Sequence, residues 1–481
     1  MALNEPNHNA NTVDMEALAP KIEEIRKICG LVGISIGVAH KKFKFPTETY
    51  FRGFGTFSGK EGDQADQNTL YYIGSLTNSF TATAIGILVG ERKLQWTTPI
   101  KDVIPDFRPD NDTVHETATI ADLLSHGTGL EGTDALWSQA NNKPLLDRGQ
   151  VLRTIEQLRA ASGFRAEFRY NNWGYEIAGR VIETLSGRSY GEFLNERIFK
   201  PLRMHRTYTT ASQHRVGHSI ATGHLTQDDG SPRPVPATMV IPGDLMNAAV
   251  GMQSSVSNLL IYYMAINKML KRPEKTAAIT KYIPPEEVVE LTKARVPLST
   301  APGAPQQARG KYGMGWAVAQ LPSSVGDTSA VYLMPETKSV VLVLSNSVGI
   351  SNGADWIGQL IVHSLLEDAP PCDFVSLARS SRDFGLSAYQ RIENEFRAEL
   401  QGQPAIPPQP LHWYTGRYFN KTRTVSIRIR IQKVKGGEEL CMAFEGKTLP
   451  IVYPLKHHNG DEFSWHMPRN KQVELGRIPV T

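Results

Sequence analysis

The sequence is poor in cysteine, has no long apolar run, and leans only slightly toward one sign of charge. Each scarcity removes a class of protein. Its three cysteines, Cys29, Cys372 and Cys441, are odd in number and far apart. They make neither a disulfide framework nor a metal-ligand spacing, so no metal and no cofactor is expected, and a reduced, cytoplasmic setting fits best. No stretch is apolar for long enough to cross a bilayer. Residues 1–13 are polar and Asn-rich, with no apolar core behind a basic start, so neither a membrane association nor a secretory signal is expected. Without export, the acceptor patterns Asn111-Asp112-Thr113 and Asn420-Lys421-Thr422 read as chance matches. A net charge of +4 over 481 residues, with no basic run interleaved with aromatics, gives no reason to expect a nucleic acid as partner. No internal repeat is visible, and nothing in the sequence sets an oligomeric state.

What is present is a chain long enough for one large domain and a small one. It is organised around Tyr71-Tyr72-Ile73-Gly74-Ser75-Leu76-Thr77-Asn78-Ser79-Phe80. Gly74 and Ser75 end an aromatic, strand-like run. Beyond them Phe80, Ala84, Ile87 and Leu88 recur at helical spacing, which predicts Ser75 at the first turn of a buried helix. A serine there either caps a core helix or serves as a nucleophile, because the N–H groups of a helix start stabilise developing negative charge.

The remaining pattern is mixed. Asp14–Cys29 reads as a helix, with Ile22, Ile25 and Ile28 on one stripe and Gly30 as its stop. Val32–Ala39 is a β-rich apolar run, and Thr47–Gly55 alternates as its hairpin partner. Ser255–Leu270 is helical, and residues 205–250 are loop-rich, suited to a lid or substrate wall. The sheet is expected to return at Tyr312–Val318, Thr328–Met334 and Ser339–Asn346, before a closing helix at Trp356–Leu366. Ala369-Pro370-Pro371 opens a linker that Pro404–Pro410 closes, with a charged, helix-like connector at Ser376–Leu400 between them. From His412 onward, short alternating strands and Gly turns run to Val480. The expected division is a disordered 1–13, a main domain at 14–368, a linker with connector helix at 369–410, and a β-domain at 411–481.

The Ser75 run resembles the Ser-x-x-Lys element of the serine β-lactamase and penicillin-binding-protein superfamily, especially its esterase and transesterase-like members. Asn78 stands where that element has its lysine. Phe168-Arg169-Tyr170-Asn171-Asn172-Trp173 resembles the superfamily's Tyr-x-Asn element, with Tyr170 and Asn172 on the matching positions and Gly174, Tyr175 and Gly179 continuing the match. Leu123-Leu124-Ser125-His126-Gly127-Thr128-Gly129-Leu130 is similar to a segment that shapes the cleft wall in these relatives, which implies a structural role for His126. Arg197–Met204 resembles the helix exit of the family. The third element, Lys-Thr-Gly or His-x-Gly, should open the strand between Val318 and Leu333, and Gln320–Ala330 contains neither. Lys447-Thr448-Leu449 and His458-Asn459-Gly460 read as turn and strand residues of the later domain. The start of that domain, Tyr414-Thr415-Gly416-Arg417-Tyr418-Phe419, resembles the lipocalin-like module appended to esterases of this superfamily. The resemblance is closest to fungal members. It implies an α/β (α+β) fold, an antiparallel sheet flanked by helices, plus a small C-terminal antiparallel β-barrel-like domain.

The resemblance also implies a chemistry. Ser75 would attack an ester, amide or thioester carbonyl and form an acyl-enzyme, with Tyr170 as the second catalytic residue and Asn78 and Asn172 in support. In the family the lysine one turn beyond the serine relays the proton, and its charge favours ionisation of the tyrosine. Asn78 keeps the spacing and can donate a hydrogen bond, but it accepts no proton and carries no charge. A tyrosine side chain titrates near ~10 in water, and losing a positioned acid–base group costs on the order of 10² to 10⁴ in rate. Two readings therefore stand. One is a serine hydrolase or acyltransferase acting on a small-molecule acyl substrate, in secondary metabolism. The other is a catalytically impaired relative that serves as a small-molecule binding protein.

Overall fold

The computed structural model describes residues 14–40, 49–138, 144–209, 217–236, 245–271, 283–298, 310–317, 329–366, 369–402, 404–434, 436–446 and 451–479. At its centre is a four-stranded antiparallel sheet. Its strands lie in the order Ser329–Met334, Ser339–Ser345, Gly33–Ala39, Thr49–Gly55. Every residue of the two inner strands is buried, so both faces are covered, and the alternation of side chains divides two apolar cores instead of separating core from solvent.

On one face Ile34, Ile36, Val38, Val341 and Val343 pack with Ile22 and Ile25 of the Ala19–Ile28 helix and with Ile357 and Ile361 of the Gly353–Leu365 helix. On the other, Val340, Leu342 and Leu344 pack with the Thr77–Gly90 and Val256–Lys271 helices. Gly37 is what lets the second of these helices lie down on the sheet, since a Cβ at that position would come 2.9 Å from Val256 Cγ2. The first helix begins at Ala19, with Pro20 in its first turn, where its missing N–H costs nothing. The residues just before it form a turn around Asp14, whose Oδ1 accepts from Glu16 N and Ala17 N. The helix expected from Asp14 is therefore shorter.

One strand expectation is overturned. Lys311–Tyr312 pairs with Val296–Pro297, away from the central sheet, and residues 313–316 form a turn closed by Gly313 N donating to Trp316 O at 2.8 Å. Gly315 sits at φ +81°, a conformation outside the strand region that glycine adopts without penalty. The chain thus reverses direction within 312–317, where a continuous strand was expected.

The charged connector is two helices, Phe374–Leu386 and Ala388–Glu399. The first lies against the opening helix, with Phe374 and Ala378 in the same core and Arg379 paired to Glu24 at 2.5 Å. Beyond it, Gly416–Phe419, Ser426–Val434, Gly437–Glu445 and Val452–Pro454 form a four-stranded antiparallel sheet, and Lys456–Asn459 and Glu462–Ser464 a two-stranded one. Strands and turns were expected to run to Val480, but Arg469–Glu474 is a helix. It has no period-two alternation, and it buries Val473 against Leu225 and Val235. This C-terminal part is seated on the rest. Val425 belongs to the larger core, Arg153 donates to Thr422 O at 2.8 Å, and Arg469 donates to Gly349 O at 3.1 Å. Among the described residues no helix is long and apolar enough to cross a membrane.

Candidate active site

The Tyr71–Tyr72 strand pairs with Gln253–Ser254, and Ile73 N donates to Met252 O at 3.0 Å. The chain then turns sharply at Gly74, φ +50°, into a single 3-10 turn, Gly74–Leu76, that runs on into the Thr77–Gly90 helix. A glycine is needed here because the left-handed conformation disfavours side chains. Ser75 is thereby presented, partly exposed, at the start of a helix whose residues 77 to 88 are all buried. The helix cannot rotate, because Phe80 stacks on Tyr262 with centroids 3.9 Å apart and Thr81 Oγ1 donates to Ala248 O at 2.7 Å.

The second segment is held by Asn171, which the sequence reading passed over. Its side chain caps the Asn172–Ser186 helix by accepting from Trp173 N at 2.8 Å. Its Nδ2 donates to Leu130 O and Glu131 O, both at 3.1 Å, and its own N–H donates to His126 Nδ1 at 3.0 Å. The signal was there: an Asn directly before an apolar-periodic run is an N-cap pattern. With this frame in place Tyr170, 38% exposed, puts its hydroxyl 2.6 Å from Ser75 Oγ. Asn78 Nδ2 donates to the same Tyr170 oxygen at 3.3 Å. Asn78 is buried, and its Oδ1 has no partner among the described residues.

The structure thus brings Ser75, Asn78 and Tyr170 together. It ties the fourth residue, Asn172, to a carboxylate that the sequence reading did not single out: Asn172 Nδ2 lies 3.2 Å from Asp134 Oδ1 and 3.4 Å from Oδ2. The segment in which the third element was expected, and which carries neither of its forms, falls largely on residues 318–328, outside the described residues. The turn before it packs on the Ser75 helix: a Cβ on Gly315 would sit 3.1 Å from Asn78 O and 3.0 Å from Ala82 Cβ.

His126 is buried behind this group, its ring centroid 4.5 Å from that of Tyr170 and 5.1 Å from that of Tyr175. Because Nδ1 accepts from Asn171 N, the proton resides on Nε2. Burial among aromatic rings pushes the imidazole down to about 3, so it stays neutral. It braces the Tyr170 segment and offers no charge to it. Among the described residues no group of three or more His, Cys, Asp or Glu side chains could hold a metal ion.

In chemical terms, a serine hydroxyl at a helix start hydrogen-bonded to a tyrosine hydroxyl is an arrangement suited to proton exchange between the two oxygens. The amide of Asn78 polarises that pair with a dipole where a lysine would supply a full charge.

The chain is similar to several known proteins. Unguisins hydrolase ungD' of Aspergillus campestris is 24% identical over 401 residues, spanning 78% of this chain and 71% of that protein. The octameric penicillin-binding protein homologue from Pyrococcus abyssi superposes with a TM-score of 0.59 at 23% identity, covering 92% of this chain and 90% of that one. EstCE1, a hydrolase with promiscuous acyltransferase activity, does so with a TM-score of 0.56 at 16% identity, covering 73% and 98%. At such identities the two structural likenesses speak for the fold. The sequence profile of the family described as Beta-lactamase matches residues 19–362, a stretch that takes in the central sheet, Ser75, Asn78 and the Tyr170 segment, and the chain belongs to the beta-lactamase family.

Proposed function

We propose that the protein is a serine hydrolase or acyltransferase that forms an acyl-Ser75 intermediate on a small-molecule ester, amide or thioester. The observation that carries this reading is the 2.6 Å approach of Ser75 Oγ to Tyr170 Oη, within the reach a proton acceptor needs. In the acylation step Ser75 Oγ bonds to the carbonyl carbon, its proton passes to Tyr170 Oη, and the tyrosine returns a proton to the leaving group as the carbonyl–leaving-group bond breaks. Water or another acyl acceptor then releases the acyl group along the same path in reverse. Asn78 supports the tyrosine oxygen with one N–H. A relative named as an unguisins hydrolase and a fold neighbour titled a hydrolase with promiscuous acyltransferase activity support hydrolysis or acyl transfer, and we place this work in secondary metabolism, in the cytoplasm. In this reading residues 14–368 carry the chemistry and residues 411–481 are an appended lipocalin-like module.

A second reading is favoured by Asn78 itself. With no ionisable group on the helix face shared with Ser75, the cleft serves as a small-molecule binding site and turnover is weak. A fluorophosphonate probe, with the modified peptide mapped, separates the two. Labelling of Ser75 that disappears in Ser75→Ala supports the enzyme. Absence of label from a protein that still binds small ligands in the cleft supports the binding module.

A further inference from the structure

Asp134 stands on a loop pressed against the Tyr170 segment. Trp173 Nε1 donates to Gly132 O at 2.9 Å, and Gly132 comes so near that a Cβ there would lie 2.8 Å from Tyr170 O. The next residue, Thr133, has φ +34° and ψ +51°, a left-handed conformation unfavourable for a β-branched side chain, and its buried hydroxyl has no partner among the described residues. Strain of this kind persists where the surroundings over-determine it, and it concentrates at ligand-binding positions. Here it delivers the Asp134 carboxylate.

That carboxylate is held by two neutral donors, Asn172 Nδ2 at 3.2 and 3.4 Å and Trp137 Nε1 at 2.9 Å. Among the described residues no Lys, Arg or His forms an ion pair with it. The residue is exposed, yet the protein beside its carboxyl withdraws water from it and raises it above the usual range. Beside it Asn172, 3% exposed, has a buried Oδ1 with no partner among the described residues. A negative charge fixed in place, uncompensated within the described chain, and flanked by an orphaned amide oxygen calls for a ligand with several N–H donors and a positive charge. Charge-assisted hydrogen bonds of this type are among the strongest that proteins make.

We propose that Asp134, braced by Asn172 and Trp137, recognises a primary ammonium group on the acyl donor, so that the preferred substrate class is amino-bearing esters, amides and thioesters. The claim about turnover rests on the acyl-Ser75 reading. The claim about binding does not.

Calorimetry with alaninamide, a cation, and N-acetylalaninamide, its neutral counterpart, tests binding without turnover. The wild-type protein should bind the cation at least about tenfold more tightly, the worth of one charge-assisted contact, and Asp134→Asn should remove that preference. The p-nitroanilides of alanine and N-acetylalanine give the same ratio as kcat/KM, and Asp134→Lys should reverse it toward an N-succinyl analogue, a reversal that a merely structural role would not produce. Equal affinity of the wild-type protein for cation and neutral ligand overturns the inference whether or not any variant folds, and so does a preference that survives in Asp134→Asn. Failure of the acyl-Ser75 reading shows separately, as absence of fluorophosphonate label on Ser75 with the calorimetric preference intact.

Discussion

Ser75 Oγ and Tyr170 Oη lie 2.6 Å apart although 95 residues separate them. Each is delivered by the start of a different helix. Gly74 turns the chain so that Ser75 opens one, and Asn171 caps the other so that Tyr170 precedes it. Neither start is held by its own side chain alone. The first is pinned by strand pairing with Gln253–Ser254 and the second by His126 and the Leu130–Glu131 carbonyls. The approach of the two hydroxyls is therefore a property of the packed core behind them.

If that pair performs the chemistry, Ser75→Ala removes acylation by p-nitrophenyl acetate altogether, and Tyr170→Phe, which keeps the ring and removes the hydroxyl, lowers it by about 10² to 10⁴. The check is burst-phase kinetics on both variants. A Tyr170→Phe protein with an undiminished burst would show that another group takes the serine proton.

Asn78→Lys adds a charge and a proton acceptor on the helix face that already meets Tyr170. Acylation by p-nitrophenyl acetate should rise about tenfold, against the 10² to 10⁴ that a missing acid–base group costs, and Ser75→Ala in the same background should abolish the gain. Asn78 is only 2% exposed, and the Gly315 turn packs on its backbone, so the longer side chain also overpacks the site and costs about 1–3 kcal/mol. Rate and thermal midpoint should thus move in opposite directions. A faster-turning native Asn78 protein that slows on substitution would place Asn78 in a differently wired mechanism.

His126 sets an acid limit on stability. Its native pKa lies below the unfolded value, at about 3 against 6.5, so between those values the unfolded chain binds a proton that the folded chain refuses. The stability it contributes is complete above pH 6.5 and is lost as the pH falls toward 3. From pH 7 to pH 5 this one group accounts for on the order of 2 kcal/mol. Urea midpoints at the two pH values should differ less in His126→Asn, whose side chain tolerates the φ of +56° at that position. An unchanged slope would mean that native His126 titrates normally.

The Asn172–Ser186 helix is anchored by a buried charge cluster in which Glu176, 0% exposed, meets Arg148 at 2.7 Å and Arg180 at 3.9 Å, and accepts from Met246 N at 3.0 Å. Burial raises the Glu176 carboxyl even with Arg148 beside it. Arg148→Leu strands that carboxylate and should destabilise the fold by about 3–5 kcal/mol, whereas removing both charges in Arg148→Leu with Glu176→Leu should cost much less. Chemical denaturation of the single and double variants checks it. Equal losses would mean that the destabilisation does not come from a stranded Glu176 carboxylate.

Local pattern made the chemical segments legible. A glycine and a serine before an apolar stripe of helical period located the Ser75 helix start, and the flanks of Tyr170 marked a second segment of the same kind. An apolar run at 32–39 and an alternating one at 47–55 identified a hairpin, because a strand pair of short separation is written in nearby residues. The stretch 312–317 is hydrophobic as a strand would be, but its direction is decided by Gly315 fitting beside Asn78 O and Ala82 Cβ, neighbours more than 200 residues earlier in the chain.

The sequence by itself determined which side chains are available: a serine at a helix start, a tyrosine before a cap, and an asparagine where the family has lysine. Only the tertiary structure decided which of them meet. Asn171 and His126 become a brace, Asn172 is drawn to Asp134, and Thr133 is held in a left-handed turn. The reason is physical. Helix periods and caps arise from interactions among residues a few positions apart, while the placement of a carboxylate beside an amide 38 residues away depends on how two separately formed segments pack on one core.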